Sequence, residues 1–108
     1  MESTRYYRGG PRLPARIDEV KIDRATNTLR SHRGVSVYDN PGHHNLISHG
    51  GAFLVTEIPD RLRVIQAGRD TSHHEIVPAE AFSMTFEEYQ ELLDQIVLVP
   101  VEPSGRED

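Results

Sequence analysis
Residues that could do chemistry fall in three stretches of this chain. The first is Arg8, which ends the strand-like run Thr4-Arg5-Tyr6-Tyr7 and precedes the breaker Gly9-Gly10-Pro11. An arginine where a chain leaves a strand can hold a phosphate or carboxylate through two parallel hydrogen bonds, and adjacent glycines let a backbone approach a ligand closely. The plainer account is a solvated arginine near a chain end. The second stretch is Arg33-Gly34-Val35-Ser36-Val37-Tyr38-Asp39. Strand alternation sends Val35 and Val37 to one face and Ser36 and Tyr38 together to the other. The valines suit a core, and the hydroxyl and phenol then stand on a polar face, ligand-binding or merely solvated. The third is Ser72-His73-His74-Glu75-Ile76-Val77. Here His73, Glu75 and Val77 share one face and His74 and Ile76 the other. Alternation alone does not say which set faces a cleft. Glutamate is depleted in strands, and a solvent-facing edge position is the ordinary reason to find one there.

His43, His44 and His49 also lie close together. A catalytic zinc usually draws two ligands from one rigid element and a third from elsewhere. His43 and His44 diverge on a helix or a strand, and the chain has no HExxH motif. The stretch from Pro41 to Gly51 therefore reads as a loop or short helix, with no native metal.

The elements that must position these residues follow from pattern. Ile17, Val20 and Ile22, the turn-like Asp23-Arg24-Ala25-Thr26-Asn27 and the return Thr28-Leu29-Arg30 predict a hairpin over 17–30. Asp39-Asn40-Pro41-Gly42 closes the second stretch as a turn. Ala52 to Ile58 and Leu62 to Ile65 read as strands separated by the turn Pro59-Asp60, and Pro78 ends the histidine strand. Over 85–96, Thr85 and Glu88 form a capping box, Met84 and Tyr89 fit a hydrophobic staple, and Phe86, Tyr89, Leu92, Leu93 and Ile96 make one apolar stripe. This helix is scaffold. Residues 96–99 suggest a last strand, and 100–108 a flexible C-terminal tail. The order is that of an α+β domain dominated by sheet, with 1–99 as one domain.

Composition bounds the rest. A chain of 108 residues can bury roughly two-thirds of its unfolded surface, enough for one core. Net charge is −5, which argues against a sequence-independent nucleic-acid binder. Absence of cysteine excludes disulfides and thiolate zinc and points to action in the cytoplasm. The first 30 residues show no signal-peptide apolar run and no stretch approaches a membrane span of ~20 residues; export without a cleavable signal would leave the same sequence.

Taken in order, Tyr7-Arg8-Gly9, Arg33 to Asp39, Ile58-Pro59 with Leu62-Arg63-Val64, and His73 to Pro78 followed by Met84 and Glu88-Tyr89 resemble the small ADP-ribosyltransferase-like toxins of bacteria. These include type VI secretion effectors and the toxin domains of polymorphic proteins. The resemblance implies a split β-sandwich with few helices and an NAD-binding cleft between two sheets. It implies that Arg8 holds the dinucleotide, with Gly9 and Gly34 beside it, that Ser36 orders the nicotinamide pocket, and that Tyr38 stacks on the nicotinamide. It further implies cleavage of the nicotinamide–ribose bond, with transfer of ADP-ribose to an intracellular macromolecule or hydrolysis of NAD. Catalysis would fall to Ser36, His73 and Glu75. The common transferases carry a Glu-x-Glu or Gln-x-Glu pair; this chain has none on the matching strand, and Glu75 is the nearest acid. A toxin of this kind implies a cognate immunity protein. The alternative from another class is a non-enzymatic partner in such a system, an immunity protein or adaptor, whose helix acids Glu87, Glu88 and Glu91 suit a basic toxin. A third, RNA-phosphate transfer through Arg8, His32 and Arg33, has least in its favour given the acidic balance.

Overall fold
A computed structural model describes residues 4–80 and 82–101. Eight strands and two short helices follow one another along it: β1 (Tyr6–Gly9), β2 (Ile22–Asp23), β3 (Thr28–Leu29), β4 (Val35–Tyr38), α1 (His44–Ile47), β5 (Ala52–Val55), β6 (Leu62–Gln66), β7 (His73–Pro78), α2 (Phe86–Asp94) and β8 (Leu98–Pro100). Six strands form one antiparallel sheet in the order β6-β7-β4-β1-β5-β8, and β2 and β3 form a separate ribbon. This is a small α+β domain, mostly antiparallel sheet with few helices.

The sheet is not evenly knit. β4 meets β7 over four registered pairs and β1 meets β5 over four. Between β4 and β1 only Tyr7 and Tyr38 register. The β4–β1 seam is thus the shortest registered one beside either strand, and the site lies next to it.

Alternation along β4 is as the pattern requires. Val35 and Val37 are fully buried, and Ser36 and Tyr38 are half-buried on the other face. The valines join Val55, Leu62, Ile76, Met84, Tyr89, Leu92, Leu93 and Ile96 in a single core. α2 supplies three of those residues, Tyr89, Leu92 and Leu93, from its apolar stripe, because i, i+3 and i+4 share one helix face, and Ile96 follows just past its end. Its start is fixed by the capping box. Glu88 N–H donates to Thr85 Oγ1 at 3.2 Å, and Thr85 N–H donates to Glu88 Oε1 at 2.9 Å. Such a cap is worth ~1 kcal/mol.

The 17–30 hairpin is shorter than its apolar pattern suggests. Ile17 opens a single 3-10 turn (Ile17–Glu19) and is 63% exposed, so it is not core. The turn itself is as expected, with Asn27 at φ 58°, a left-handed conformation that asparagine tolerates. The final strand reaches Pro100, which registers with Phe53; sheet therefore extends one residue into the stretch expected as tail. Val101 follows it, its N–H donating to the Ala52 carbonyl at 3.0 Å, and residues 102–108 lie outside the described residues.

Candidate functional site
β4 and β7 pair so that Ser36 faces Glu75, Val37 faces His74 and Tyr38 faces His73. Direct partners in an antiparallel pair put their side chains on the same face. Ser36, Tyr38, His73 and Glu75 therefore share the face opposite the core valines. Two adjoining hollows open on this region. One of about 380 Å³ is lined by Arg8, Gly9, Arg16, Ser36, Tyr38 and Asn45 among others. The other, about 190 Å³, reaches Arg33, Gly34 and Glu75. Arg16, Glu19 and Ser36 border both, which makes them one cleft.

Ser36 and His73 form its most defined contact. His73 Nε2 lies 2.9 Å from Ser36 Oγ, and His73 Nδ1 lies 3.0 Å from the carbonyl of Ala67. A carbonyl only accepts, so this geometry assigns the proton of a neutral imidazole to Nδ1. Nε2 is then the acceptor and Ser36 O–H the donor. The loop that brings the Ala67 carbonyl into place turns at Gly68, φ 78°, where a side chain would be strained.

Glu75 is not at a solvent-facing edge. β7 is an inner strand and Glu75 is 6% exposed. A buried carboxylate needs partners. Glu75 Oε1 accepts from Gly34 N–H at 3.0 Å and lies 3.8 Å from Arg33 Nε; Oε2 lies 3.8 Å from His73 Nε2.

Arg8, on β1, lines the cleft and reaches across to β4. Its Nη1 donates to the backbone carbonyl of Ser36 at 2.8 Å. Its Nε is buried without a hydrogen-bond partner, alone in this among the described residues. Burial pulls the guanidinium pKa below its ordinary value, with the charges of Glu19, Tyr38 and Tyr89 opposing. Tyr38 is held on several sides. Its ring stacks on His43 at 4.2 Å between centroids, His73 tilts against it at 5.3 Å, and its hydroxyl accepts from Asn45 Nδ2 at 2.9 Å. Much of the ring that a nicotinamide would stack on is thus already engaged by protein.

No family model, curated protein or solved structure matches this chain. The site therefore rests on its own geometry.

The two glycines serve internal packing. A Cβ on Gly34 would fall 1.9 Å from the Ile76 carbonyl oxygen and 2.6 Å from the Tyr89 hydroxyl. One on Gly9 would fall 2.8 Å from His49 Cβ. Their missing side chains are accounted for by β7 and by the segment after α1, whatever also binds the cleft. Of the remaining histidines, His43 caps α1, its Nδ1 accepting from Asn45 N–H at 3.1 Å while Nε2–H donates to Asp70 Oδ2 at 2.7 Å. Among the described residues no group of three or more His, Cys, Asp or Glu is arranged to hold a metal, and no helix is long and apolar enough to cross a membrane.

Sequence reasoning does not single out Arg16, Glu19 or Asn45, and no local motif marks them. Arg16 reaches the cleft because α2 anchors the segment before it: Ala15 N–H donates to Gln90 Oε1 at 2.7 Å and Gln90 Nε2 donates to the Leu13 carbonyl at 3.2 Å.

Proposed function
We propose that this cleft binds NAD and that the protein cleaves the nicotinamide–ribose bond, acting as an ADP-ribosyltransferase-like bacterial toxin on an intracellular target or hydrolysing NAD. One observation carries the reading: Arg8, Ser36, Tyr38 and Glu75, with His73 bonded to Ser36, are dispersed over 68 positions and converge on one cleft beside the short β4–β1 seam. A split β-sandwich would divide this sheet at its shortest registered seam, with β6-β7-β4 and β1-β5-β8 as the halves.

The donor set fits a dinucleotide. Arg8, Arg16 and Arg33 offer guanidinium forks for a diphosphate, and Arg8 brings a buried donor with nothing yet to bond. Asp18 and Glu19 work against it. Arg16 partly answers the first, its Nε lying 3.6 Å from Asp18 Oδ1. Tyr38 forms a wall stiffened by His43 and Asn45. Loss of nicotinamide develops positive charge on the ribose, and a preorganised carboxylate in a water-poor site stabilises such charge. Glu75 is that carboxylate, standing across from Ser36. A toxin with this activity would require a cognate immunity protein in the producing cell.

The test is nicotinamide release from NAD, followed by chromatography, with calorimetric titration of NAD alongside. Glu75→Gln keeps a carbonyl to accept from Gly34 N–H and removes the charge. Release by this variant is expected to fall by about 10²–10³ with the urea midpoint little changed. Neither release nor binding by the parent protein would end the proposal.

A further inference from the structure
The contact between Ser36 and His73 has a chemical consequence that goes beyond lining a pocket. Serine is a weak nucleophile until a base accepts its proton, and the signature of activation is a base within hydrogen-bond reach that is itself oriented by a third group. All three parts are present. Ser36 Oγ is 2.9 Å from His73 Nε2, and the Ala67 carbonyl, 3.0 Å from Nδ1, leaves Nε2 as the acceptor. Glu75 Oε2 lies 3.8 Å from the same nitrogen, placed to stabilise the imidazolium formed when the proton arrives. The hydroxyl sits on the wall common to both hollows of the cleft.

We infer that Ser36 is itself an acceptor: with His73 as general base, it captures the ADP-ribosyl group of NAD and the protein modifies its own cleft. The step balances. Ser36 Oγ bonds to the ribose carbon that carried nicotinamide; the carbon–nitrogen bond breaks, and its electron pair leaves with neutral nicotinamide. The hydroxyl proton passes to His73 Nε2. No oxidant or further reactant takes part. The inference rests on the NAD reading above and deepens it by naming a first acceptor. An O-linked ADP-ribose on Ser36 would fill the cleft, so each chain would turn over about once when no other acceptor is present.

Purified protein is incubated with NAD; nicotinamide is quantified, and the chain is analysed by intact mass and by fragmentation of the peptide spanning β4. A parallel sample is treated with an arylsulfonyl fluoride, which reports an activated serine without NAD. The expected result is one ADP-ribosyl group on Ser36, about one nicotinamide per chain, and sulfonylation of the same residue. Ser36→Ala should carry neither adduct. His73→Asn should slow both by a hundredfold or more, the lower range of a general base's contribution being ~10², with its circular dichroism unchanged. Release of nicotinamide over many turnovers with Ser36 unmodified overturns the inference and leaves the NAD reading standing. Sulfonylation of Ser36 without nicotinamide release overturns the NAD reading and the transfer with it. Equal adduct formation in folded His73→Asn removes the base and refutes the mechanism.

Discussion
Replacing Tyr89 by phenylalanine deletes one oxygen and should cost more than most core substitutions. The Tyr89 hydroxyl accepts from Val35 N–H at 3.0 Å and donates to the Ile76 carbonyl. Val35 and Ile76 are themselves a registered pair, so the phenol is wedged into the β4–β7 ladder at its end. Both backbone groups belong to fully buried residues. Gly34 allows the wedge, since a Cβ there would collide with the same hydroxyl. Without the oxygen, the amide and the carbonyl lose a partner in a place where water does not replace it. Leaving one buried group unpaired costs about 1–3 kcal/mol. Two such groups, partly relieved by relaxation of the strands, give about 2–4 kcal/mol. At ~4–5 °C per kcal/mol, the lower end of the range for a domain near this size, the thermal midpoint should fall by roughly 8–20 °C. Urea denaturation followed by circular dichroism measures this directly. The same substitution has a pH signature. Burial raises the Tyr89 pKa above its ordinary value, while the Val35 hydrogen bond opposes. The folded chain therefore holds that proton more tightly than the unfolded chain. The stability this contributes is fully present below about pH 10, the ordinary tyrosine value, and is lost as pH rises from there through the folded value. The alkaline decline should be shallower in Tyr89→Phe. A variant within about 0.5 kcal/mol of the parent, the range of neutral surface changes, would refute the assignment of both backbone groups to this hydroxyl.

Two further outcomes follow from the cleft's surroundings. Gly9→Ala sets a Cβ 2.8 Å from His49 Cβ and 3.4 Å from Leu46 Cα; overpacking of this kind costs about 1–3 kcal/mol, so the urea midpoint should drop and, on the proposed reading, the binding of NAD should weaken as α1 shifts. Asp70 has its pKa lowered, first by the hydrogen bond from His43 and next by Ser72 N–H. Its contribution is present above the ordinary carboxyl value of about 4 and is lost as pH falls through the lower folded value. Thermal midpoints compared at about pH 5 and about pH 2 should therefore fall less in Asp70→Asn than in the parent.

What could be read in advance was periodic, and what could not was relational. The Val35/Val37 against Ser36/Tyr38 alternation and the Thr85–Glu88 box are local patterns, and both stand as written in the chain. Glu75 is different. On β7 its alternation is plain, but whether that face meets solvent or a cleft depends on which strand pairs alongside, and β7 proved to lie between β6 and β4. Ile17 has the composition of a strand residue, yet the local chain turns instead and leaves it exposed. Arg16 enters the cleft through a clasp by Gln90, 74 positions away, a contact that leaves no trace in the sequence near either residue. The glycines carried a real signal with more than one meaning. Close approach was needed at Gly9 and Gly34, and the atoms that approach are His49, Ile76 and Tyr89.

The site's geometry depends on a residue that does not touch the cleft. Ser36 stands across from Glu75 only in one register of β4 on β7, and a slip of one residue would send Ser36 into the core and a valine to the cleft. Backbone hydrogen bonding by itself does not forbid such a slip. Burial of Val35 and Val37 does, and Tyr89 adds a directional constraint by bonding Val35 and Ile76, the pair adjacent to Ser36 and Glu75. Gly34 then contributes twice: its bare α-carbon admits the phenol from one side, while its N–H holds Glu75 Oε1 on the other. Helix α2, scaffold by its own pattern, thereby sets where the carboxylate and the hydroxyl meet. Loosening that pin in Tyr89→Phe should therefore reduce the reactivity of Ser36 as well as stability, since a nucleophile displaced by an ångström from its base loses much of its advantage.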